Sequence, residues 1–315
     1  MENEEKFITV IGGSNIDIGG KPFNKPIARD SNPGTVSTTL GGVGRNMAQD
    51  LALLGRRVRF ITALGNDAHG QRLSDDLTRL GIDFSESYRS ARGESTSTYL
   101  YITDETGDME LAIADMAIFE NLTLDFFISK LPAIDNSQIV ILDANLPPDT
   151  IRELCSQIKA PVFAETVSYN KAVHIKEALP HLTLTAPNAL EAEILSGVPV
   201  DATDKRSVER AADALLNTGL KNVVITMGGA GAYFANGFER GFLPSLPTRH
   251  INTTGAGDAL MAGIAACISK GISLKDSVRL GIAAASMTIE TEWTCNEAMT
   301  FDSVCERAGL DINDN

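Results

Sequence analysis

The sequence predicts an α/β fold in which a mostly parallel sheet lies between two layers of helices. Short, apolar, β-branched segments alternate along most of the chain with segments whose apolar residues have helical spacing. The 315 residues are 43% hydrophobic and 22% charged, a globular composition with ample material for a core. No repeat or low-complexity stretch interrupts the alternation, so we expect residues 1–315 to form a single domain.

The predicted elements follow one another in a regular order. The first strand, residues 7–11 (FITVI), ends at Gly12 and Gly13, and the next helix, residues 44–54, ends at Gly55, a residue type that commonly terminates helices. Further strands are predicted at residues 58–63, 138–142, 161–164, 182–185 and 222–226. Further helices are predicted at residues 68–80, 148–158, 189–195, 207–218, 256–269, 274–288 and 302–308.

Two segments break this pattern. Residues 19–40 are rich in Pro, Gly, Asn and Thr, and residues 95–113 alternate as in a β-hairpin. Both are predicted to build a small sheet outside the main layer. A lid over a ligand site, a dimer contact and a mere decoration are the alternatives. We favour the lid, because ligands of open α/β sheets bind at the carboxyl ends of the strands. The lids of two chains are expected to meet in a homodimer, since so small a sheet leaves apolar faces and edges exposed.

Charge and cysteine content restrict the partners. The chain has 27 Lys and Arg against 41 Asp and Glu, a formal net charge of −14. So acidic a protein repels phosphate backbones, which argues against nucleic-acid and membrane-surface binding. The four cysteines lack C-x-x-C spacing and suit a reducing compartment. The acidic start shows no signal peptide and no segment reaches 18 apolar residues, so the sequence predicts a cytoplasmic protein.

The segment at residues 252–258 (NTTGAGD) stands directly before a predicted long helix. Its glycines permit close approach of a ligand, and the free N–H groups of a helix start bind anions. A carboxylate inside an anion site, here Asp258, suits phosphoryl transfer to a hydroxyl: the N–H groups hold the transferring group while the carboxylate accepts the attacking proton. The alternative is an ordinary helix start with an acidic first turn. The Gly-Ala-Gly-Asp spacing after two threonines favours phosphoryl transfer.

A second glycine-rich segment, residues 41–46 (GGVGRN), also opens a helix. Asn46 lies one turn into that helix, where its carboxamide can donate to and accept from hydroxyls. Asp17, shortly after the first strand, can pair with the vicinal hydroxyls of a sugar. A plain glycine turn and a capped turn are the alternatives. A Walker-type phosphate loop is excluded because no G-x-x-x-x-G-K-[ST] occurs, and residues 228–231 (GGAG) open no predicted helix, which argues against a dinucleotide-binding fold.

These motifs together resemble a known family. GGVGRN and NTTGAGD, in this order and about 210 residues apart, resemble the two signatures of the ribokinase-like (PfkB) carbohydrate kinases. The resemblance extends over essentially the whole chain, including the insertions and the segments Pro187-Asn188-x-x-Glu191 and Thr226-x-Gly228. It implies a ribokinase-like three-layer α/β/α core with a small β-sheet lid, ATP as co-substrate, Mg²⁺ as cofactor, and a small sugar or nucleoside as acceptor.

The resemblance also implies roles for individual residues. Asp258 matches the catalytic base of the family, and the amides of Gly255, Ala256 and Gly257 match its anion hole. Asn188 and Glu191 match residues that organise Mg²⁺, largely through water. The substrate-binding positions of the family correspond to Asn15, Asp17, Gly41, Gly42 and Asn46. The ATP-binding positions correspond to Asn188, Thr226, Gly228 and Gly231.

The chain departs from the commonest ribokinase pattern at several positions. Val43 and Arg45 replace a Lys and a small residue, which argues against plain ribose as the acceptor. Asn252, with Thr254, stands at the position of a monovalent cation site where ribokinases often have Asp, which argues against strong K⁺ activation. Glu165 stands where relatives often have Asp.

Within the family, residues 31–48 and 286–300 are most similar to the pseudouridine kinases. This implies ATP-dependent phosphorylation of pseudouridine to pseudouridine 5′-phosphate. The alternatives are kinases of other acceptors, namely ribose, fructose, adenosine or inosine, and a catalytically silent nucleoside sensor.

Overall fold

A computed structural model describes residues 6–311 and contains fourteen strands within that range. The first seven are β1 (Ile8–Ile11), β2 (Asn15–Pro22), β3 (Gly34–Gly41), β4 (Val58–Ile61), β5 (Ala63–Leu64), β6 (Tyr88–Arg89) and β7 (Thr98–Thr103). The others are β8 (Met109–Asp115), β9 (Ile139–Asp143), β10 (Val162–Glu165), β11 (Leu184–Thr185), β12 (Asn222–Thr226), β13 (Ala232–Asn236) and β14 (Arg240–Leu243).

Eleven α-helices lie between and after these strands in the described range. They are α1 (Val43–Leu53), α2 (Ala68–Arg79), α3 (Leu124–Ile128), α4 (Leu131–Asp135), α5 (Pro148–Gln157), α6 (Tyr169–Ala172), α7 (Ala189–Ser196), α8 (Lys205–Leu216), α9 (Ala256–Ser269), α10 (Leu274–Ile289) and α11 (Phe301–Ala308). Short 3₁₀ helices occupy Ala117–Asn121, Val173–His181 and Gly228–Ala230.

The main sheet has eight strands in the order β14-β13-β12-β11-β10-β9-β1-β4. The six strands from β12 to β4 are parallel, and β13 and β14 continue the sheet as antiparallel strands at one edge. Side chains on both faces of the sheet are buried, which is why its parallel strands read as continuous apolar runs rather than alternating ones. The predicted mostly parallel sheet is therefore confirmed.

Each face of this sheet has its own hydrophobic core. On one side Val10, Phe60 and Phe163 pack with residues of α1, α9, α10 and α11. On the other side Ile11 and Ile61 pack with residues of α5, α7 and α8. Two helical layers around one sheet make the predicted three-layer α/β/α core.

A second sheet of four strands, in the order β3-β2-β7-β8, stands apart from the main sheet. The two predicted insertions meet in it through the parallel pair β2–β7. One of its faces is apolar: its base packs on Leu64 and Leu73 of the main body, while farther out it exposes aliphatic side chains. These are Val36, Leu100, Ile102, Leu111 and Ile113. The expectation of a small sheet outside the main layer is confirmed.

Several short elements were not predicted from the sequence. Strands β13 and β14 follow a glycine turn and contain Ala and Gly, which have weak strand preference. Helices α3, α4 and α6 have at most five residues, too few to show helical periodicity. No helix among residues 6–311 is long and apolar enough to cross a membrane. Residues 1–5, in the segment for which the sequence predicts no signal peptide, lie outside the described range.

Candidate active site

Polar residues collect at the carboxyl edge of the main sheet. Strands β9, β10 and β12 end at Asp143, Glu165 and Thr226, and Asn188, just beyond β11, forms a bridge with Thr226. Neighbouring strands are about 4.8 Å apart, so these residues form a row across the edge. Gly13, which follows β1, donates its N–H to Asp143 Oδ2 over 2.8 Å.

The start of α9 presents unpaired N–H groups. Gly255 precedes the helix with φ +86°, and a Cβ there would lie 2.0 Å from the carbonyl oxygen of Thr294, so only glycine fits. The Ala256 N–H donates to the Thr253 carbonyl over 3.3 Å. Within residues 6–311 the N–H groups of Gly255, Gly257 and Asp258 have no acceptor. This geometry suits an anion.

Asp258 is buried beside these amides, with 7% of its surface exposed. Its Oδ2 accepts a 2.9 Å hydrogen bond from Asn46 Nδ2, which joins the starts of α9 and α1. Burial raises the pKa of Asp258 to about 7; the Asn46 hydrogen bond opposes this rise and the charge of Asp143 adds to it. A carboxyl group that titrates near neutral pH suits proton transfer.

The Asn46 carboxamide is held in one orientation by its neighbours. Arg45 Nη1 and Thr294 Oγ1 both donate to Asn46 Oδ1, each over 3.3 Å, so the NH₂ group is the one directed at Asp258. Arg45 is itself buried and forms a 2.8 Å ion pair with Asp76. The sequence analysis singled out Arg45 only as a departure from a family pattern, and its contact with Asn46 was missed.

A second buried acid, Asp50, lies on the same helix one turn farther on. Burial, and then the charge of Asp258, raise its pKa well above the ordinary value, while the Cys295 thiol and Arg45 oppose this rise. The Cys295 thiol also donates to the Asn46 carbonyl over 3.7 Å. No sequence motif marks Asp50 or Cys295, because both are recognised only through their packing.

The predicted substrate positions come together at the base of the small sheet. Asn15 Nδ2 donates to Asp17 Oδ1 over 2.6 Å, and burial raises the pKa of Asp17 to about 6 against the opposing effects of Asn15 and Arg45. The Asp17 carboxylate lies across Gly41, where a Cβ would be 2.1 Å from Asp17 Oδ2. Gly42 caps α1 with φ +100°. The backbone therefore requires glycine at Gly42, and a side chain at Gly41 would displace the Asp17 carboxylate.

Asn188 and Glu191 form a capping box at the start of α7. Asn188 Oδ1 accepts the Glu191 N–H over 3.0 Å, and Glu191 Oε2 accepts the Asn188 N–H over 2.9 Å and the Thr166 hydroxyl over 2.7 Å. Glu165 lies nearby, and burial followed by the charges of Asp258 and Glu191 raises its pKa well above the ordinary value. Its Oε2 is buried without a hydrogen-bond partner within the described chain. The repulsion between these nearby carboxylates would be reduced by a bound cation.

A cavity of about 250 Å³ opens on the other side of the α9 start. Thr226, Gly228 and Gly231 line it at the edge of the sheet, and Ala256 and Gly257 connect it to the free amides. Its remaining wall is mostly apolar and comes from the segment before α9, from α9 itself and from α10; it includes Leu246, Leu260, Ile282, Ala285 and Ile289. Sequence reasoning missed these residues, because apolar residues in a helix have no motif that distinguishes a pocket from a core.

The two residues predicted for a monovalent cation form a surface turn. Asn252 Oδ1 accepts the Thr254 N–H over 3.0 Å, and Asn252 Nδ2 donates to the Glu292 carbonyl over 3.1 Å. In the described part of the chain no group of three or more His, Cys, Asp or Glu side chains is placed to bind a metal ion directly.

Comparison with known proteins finds matches over nearly the whole chain. Residues 5–300 match the pfkB family carbohydrate kinase family. A pseudouridine kinase of Escherichia coli is 35% identical over 303 residues, which cover 96% of this chain and 96% of that protein. A carbohydrate kinase from Agrobacterium tumefaciens superposes with a TM-score of 0.85 at 30% identity, covering 97% of both chains.

A more distant structure shares the fold. The Arabidopsis thaliana ribokinase complexed with ribose and ATP has a TM-score of 0.87 at 22% identity, covering 98% of this chain and all of that one. The three-layer architecture of this chain is therefore ribokinase-like, as the sequence predicted.

Proposed function

Because this chain belongs to the pfkB family of carbohydrate kinases, we propose that it transfers the terminal phosphoryl group of ATP to the 5′-hydroxyl of a nucleoside, pseudouridine. The 35% identity to the Escherichia coli pseudouridine kinase supports this acceptor. The observation that carries the proposal is the Asn46–Asp258 hydrogen bond, because it joins two glycine-led helix starts into one site.

Different residues along the edge of the sheet bind the acceptor, the nucleotide and the phosphates. Asn15, Asp17 and Asn46, with the open backbone at Gly41 and Gly42, hold the ribose hydroxyls of the acceptor. The apolar cavity beyond Thr226, Gly228 and Gly231 holds the base and ribose of ATP. The phosphates then lie between them, beside the N–H groups of Gly255, Gly257 and Asp258, which have no acceptor within residues 6–311, whereas the predicted donor Ala256 already donates to the Thr253 carbonyl.

In the reaction the Asp258 carboxylate accepts the proton of the acceptor hydroxyl. The hydroxyl oxygen forms a bond to the γ-phosphorus, the bond from that phosphorus to the bridging oxygen breaks, and ADP leaves. The N–H groups of Gly255, Gly257 and Asp258 stabilise the charge on the transferring group, because they are already oriented and no acceptor within the described chain competes for them.

The residues beside α7 fit a hydrated Mg²⁺ ion. Glu165 has a buried oxygen without a hydrogen-bond partner in the described chain, and burial, with the nearby charges of Asp258, Glu191 and Asp143, raises its pKa, an effect that a bound cation would oppose. Mg²⁺ usually keeps several water ligands and is otherwise bound largely by substrate phosphates. A cluster of direct protein ligands is therefore not needed. Asn188 and Glu191 would orient those waters. The ion would supply charge neutralisation of the triphosphate.

Glu191→Gln is expected to raise the Mg²⁺ concentration for half-maximal activity by roughly tenfold, as loss of such orienting groups commonly does. Gln retains an oxygen for the capping box but lacks the charge. The measurement is an Mg²⁺ titration of turnover. Glu193→Gln makes the same change on the same helix at an exposed position and should leave the titration unchanged. Identical Mg²⁺ titrations of Glu191→Gln and wild type would show that Glu191 only caps α7 and does not act on the ion.

The pH dependence of kcat/KM should show an acidic limb near pH 7. Asp258 must be ionised to accept a proton, and burial raises its pKa to about 7, so activity is lost as the pH falls through that value. The measurement is kcat/KM for the acceptor between pH 5 and 9 at constant ionic strength. An acidic limb below pH 5 would contradict the role of Asp258.

We expect two chains to pair through the apolar face of the small sheet. Its five exposed aliphatic side chains lie opposite the face that carries Asp17, so pairing would leave the acceptor side accessible. Analytical ultracentrifugation should give twice the 33.6 kDa of one chain. Leu111→Lys should shift the protein to a single chain. A wild type that stays at the mass of one chain at high concentration would refute the dimer.

An acceptor panel with radiolabelled ATP tests the proposed function directly. Pseudouridine, uridine, adenosine, inosine, ribose and fructose are compared, with Asp258→Asn as the blank. Pseudouridine should give the highest kcat/KM, and K⁺ should change it little, because the Asn252 site lacks a carboxylate. A better acceptor elsewhere in the panel would replace pseudouridine. Binding of nucleosides without phosphorylation of any would favour the sensor.

A further inference from the structure

Two aromatic rings lie on the face of the small sheet that carries Asp17. In the register of β2 and β7, Asp17 pairs with Tyr99 and Gly19 pairs with Tyr101, so all four point to the same side. The Tyr101 ring lies across Gly19, where a Cβ would be 2.6 Å from its Cζ atom. The two ring centroids are 5.9 Å apart, with their planes inclined by 34°.

The surroundings leave these rings accessible. Both tyrosines are only partly buried. The other register positions on this face carry small residues: Ala112 and Ala114 opposite the tyrosines on β8, and Ser37 and Thr39 opposite Gly19 and Asp17 on β3. The Tyr101 hydroxyl makes no hydrogen bond to the described chain. The face of the small sheet that carries Asp17 therefore has a carboxylate at one position and an accessible aromatic ring at the next.

The spacing of these two features matches a nucleoside. Residues two apart on a strand are about 7 Å apart on the same face, which is the scale that separates the ribose hydroxyls of a nucleoside from its base. A free sugar that is held by Asp17 lies beside Tyr99 but would not reach the Tyr101 ring, at the next position on this face of the strand. Stacking on an aromatic side chain suits any base, since every base has a π face.

We propose that Tyr101, with Tyr99 beside it, is a stacking platform for the aromatic base of the nucleoside acceptor. The proposal rests on the proposed function, because it takes Asp17 as the residue that holds the ribose. The platform selects nucleosides over free sugars and leaves the choice among bases to other residues. It gives the small sheet a direct role in acceptor recognition.

A purely structural role is the competing explanation. An aromatic ring that covers a glycine on the neighbouring strand stabilises a sheet. Such a role predicts that loss of the ring weakens every ligand at this site to the same extent. A stacking role predicts a loss that is confined to ligands with a base.

Calorimetric titration with pseudouridine and with D-ribose separates the two roles. Tyr101→Leu should weaken pseudouridine binding by roughly tenfold or more, the typical loss for one stacked base, and change ribose binding less than twofold. Tyr101→Phe retains the ring and should bind pseudouridine almost as wild type does. Phe238→Leu removes a fully exposed ring at a distant turn and serves as the matched control.

The possible failures are distinguishable. An equal loss for pseudouridine and ribose in Tyr101→Leu, or no loss for either, overturns the stacking platform. So does a wild type that binds pseudouridine no more tightly than ribose. A wild type that binds pseudouridine through Tyr101 and phosphorylates no nucleoside supports the platform and refutes the proposed function alone.

Discussion

Asp258→Asn is expected to lower kcat by about 10²–10⁴-fold, the range that a general base contributes. The substitution preserves size, and the new carboxamide oxygen can still accept the hydrogen bond that Asn46 donates over 2.9 Å. It removes only the ability to accept the acceptor's proton. KM for acceptor and for ATP should change little, because other residues are assigned to binding. Steady-state kinetics give both parameters.

The same variant should be more stable than wild type at alkaline pH. The pKa of Asp258 is 3.8 as an ordinary value and about 7 in the folded protein. The folded state therefore retains a proton that the unfolded chain releases, and wild-type stability falls as the pH rises from about 4 to 7. The asparagine variant lacks this loss, which amounts to about 4 kcal/mol at most. Thermal melts at pH 5 and 8 should show the gap in melting temperature widening with pH.

Asp50→Asn is the matched control for this experiment. Asp50 is also a buried carboxyl group, with a pKa that burial raises well above its ordinary value, and the variant preserves its size. Its turnover should stay within tenfold of wild type. A folded Asp258→Asn protein that turns over within tenfold of wild type would show that Asp258 is only an acidic residue at a helix start.

Gly255→Ala is expected to lower turnover by about 100-fold or more, similar to the loss of an oxyanion-hole donor. A Cβ would meet the Thr294 carbonyl oxygen at 2.0 Å, so the start of α9 must move and its amides with it. The unfavourable positive φ adds a loss of stability of about 1 kcal/mol. Turnover at saturating substrate and a thermal melt measure the two effects.

Gly271→Ala controls for the backbone conformation alone. Gly271 follows the other end of α9 with φ +78°, and a Cβ there meets no atom within 4 Å. It should lose similar stability from its backbone and retain normal turnover. Equal turnover of the Gly255 and Gly271 variants would show that the α9 amides do not hold the transferring group.

The features that the sequence predicted well are local ones. Buried parallel strands are continuous apolar runs, and helix starts such as Gly42 and Gly255 need glycine for a positive φ, so both can be recognised without knowing the fold. The mostly parallel main sheet agrees with the alternation of strands and helices. For the same reason the two glycine motifs could be recognised in the sequence.

The features that were missed depend on packing between distant segments. Asn46 is oriented by Arg45 and by Thr294, and Thr294 lies 248 positions farther along the chain. Tyr101 lies over Gly19 because two insertions about 80 residues apart pair in one register. The apolar wall of the cavity comes from α10, whose residues have the same pattern in a pocket as in a core. Such contacts have no signature in a single sequence.

The bond between Asn46 and Asp258 also bears on the order of folding. It connects residues 212 positions apart, and the Thr294–Asn46 bond spans 248 positions. Closing so long a loop has a large entropic cost that local helices do not have. During synthesis the amino-terminal half can form its helices early, yet the proposed proton-transfer site cannot exist until α9 and the segment around Thr294 have left the ribosome. Activity is therefore a property of the nearly complete chain, and a truncated product would be folded in part but catalytically silent.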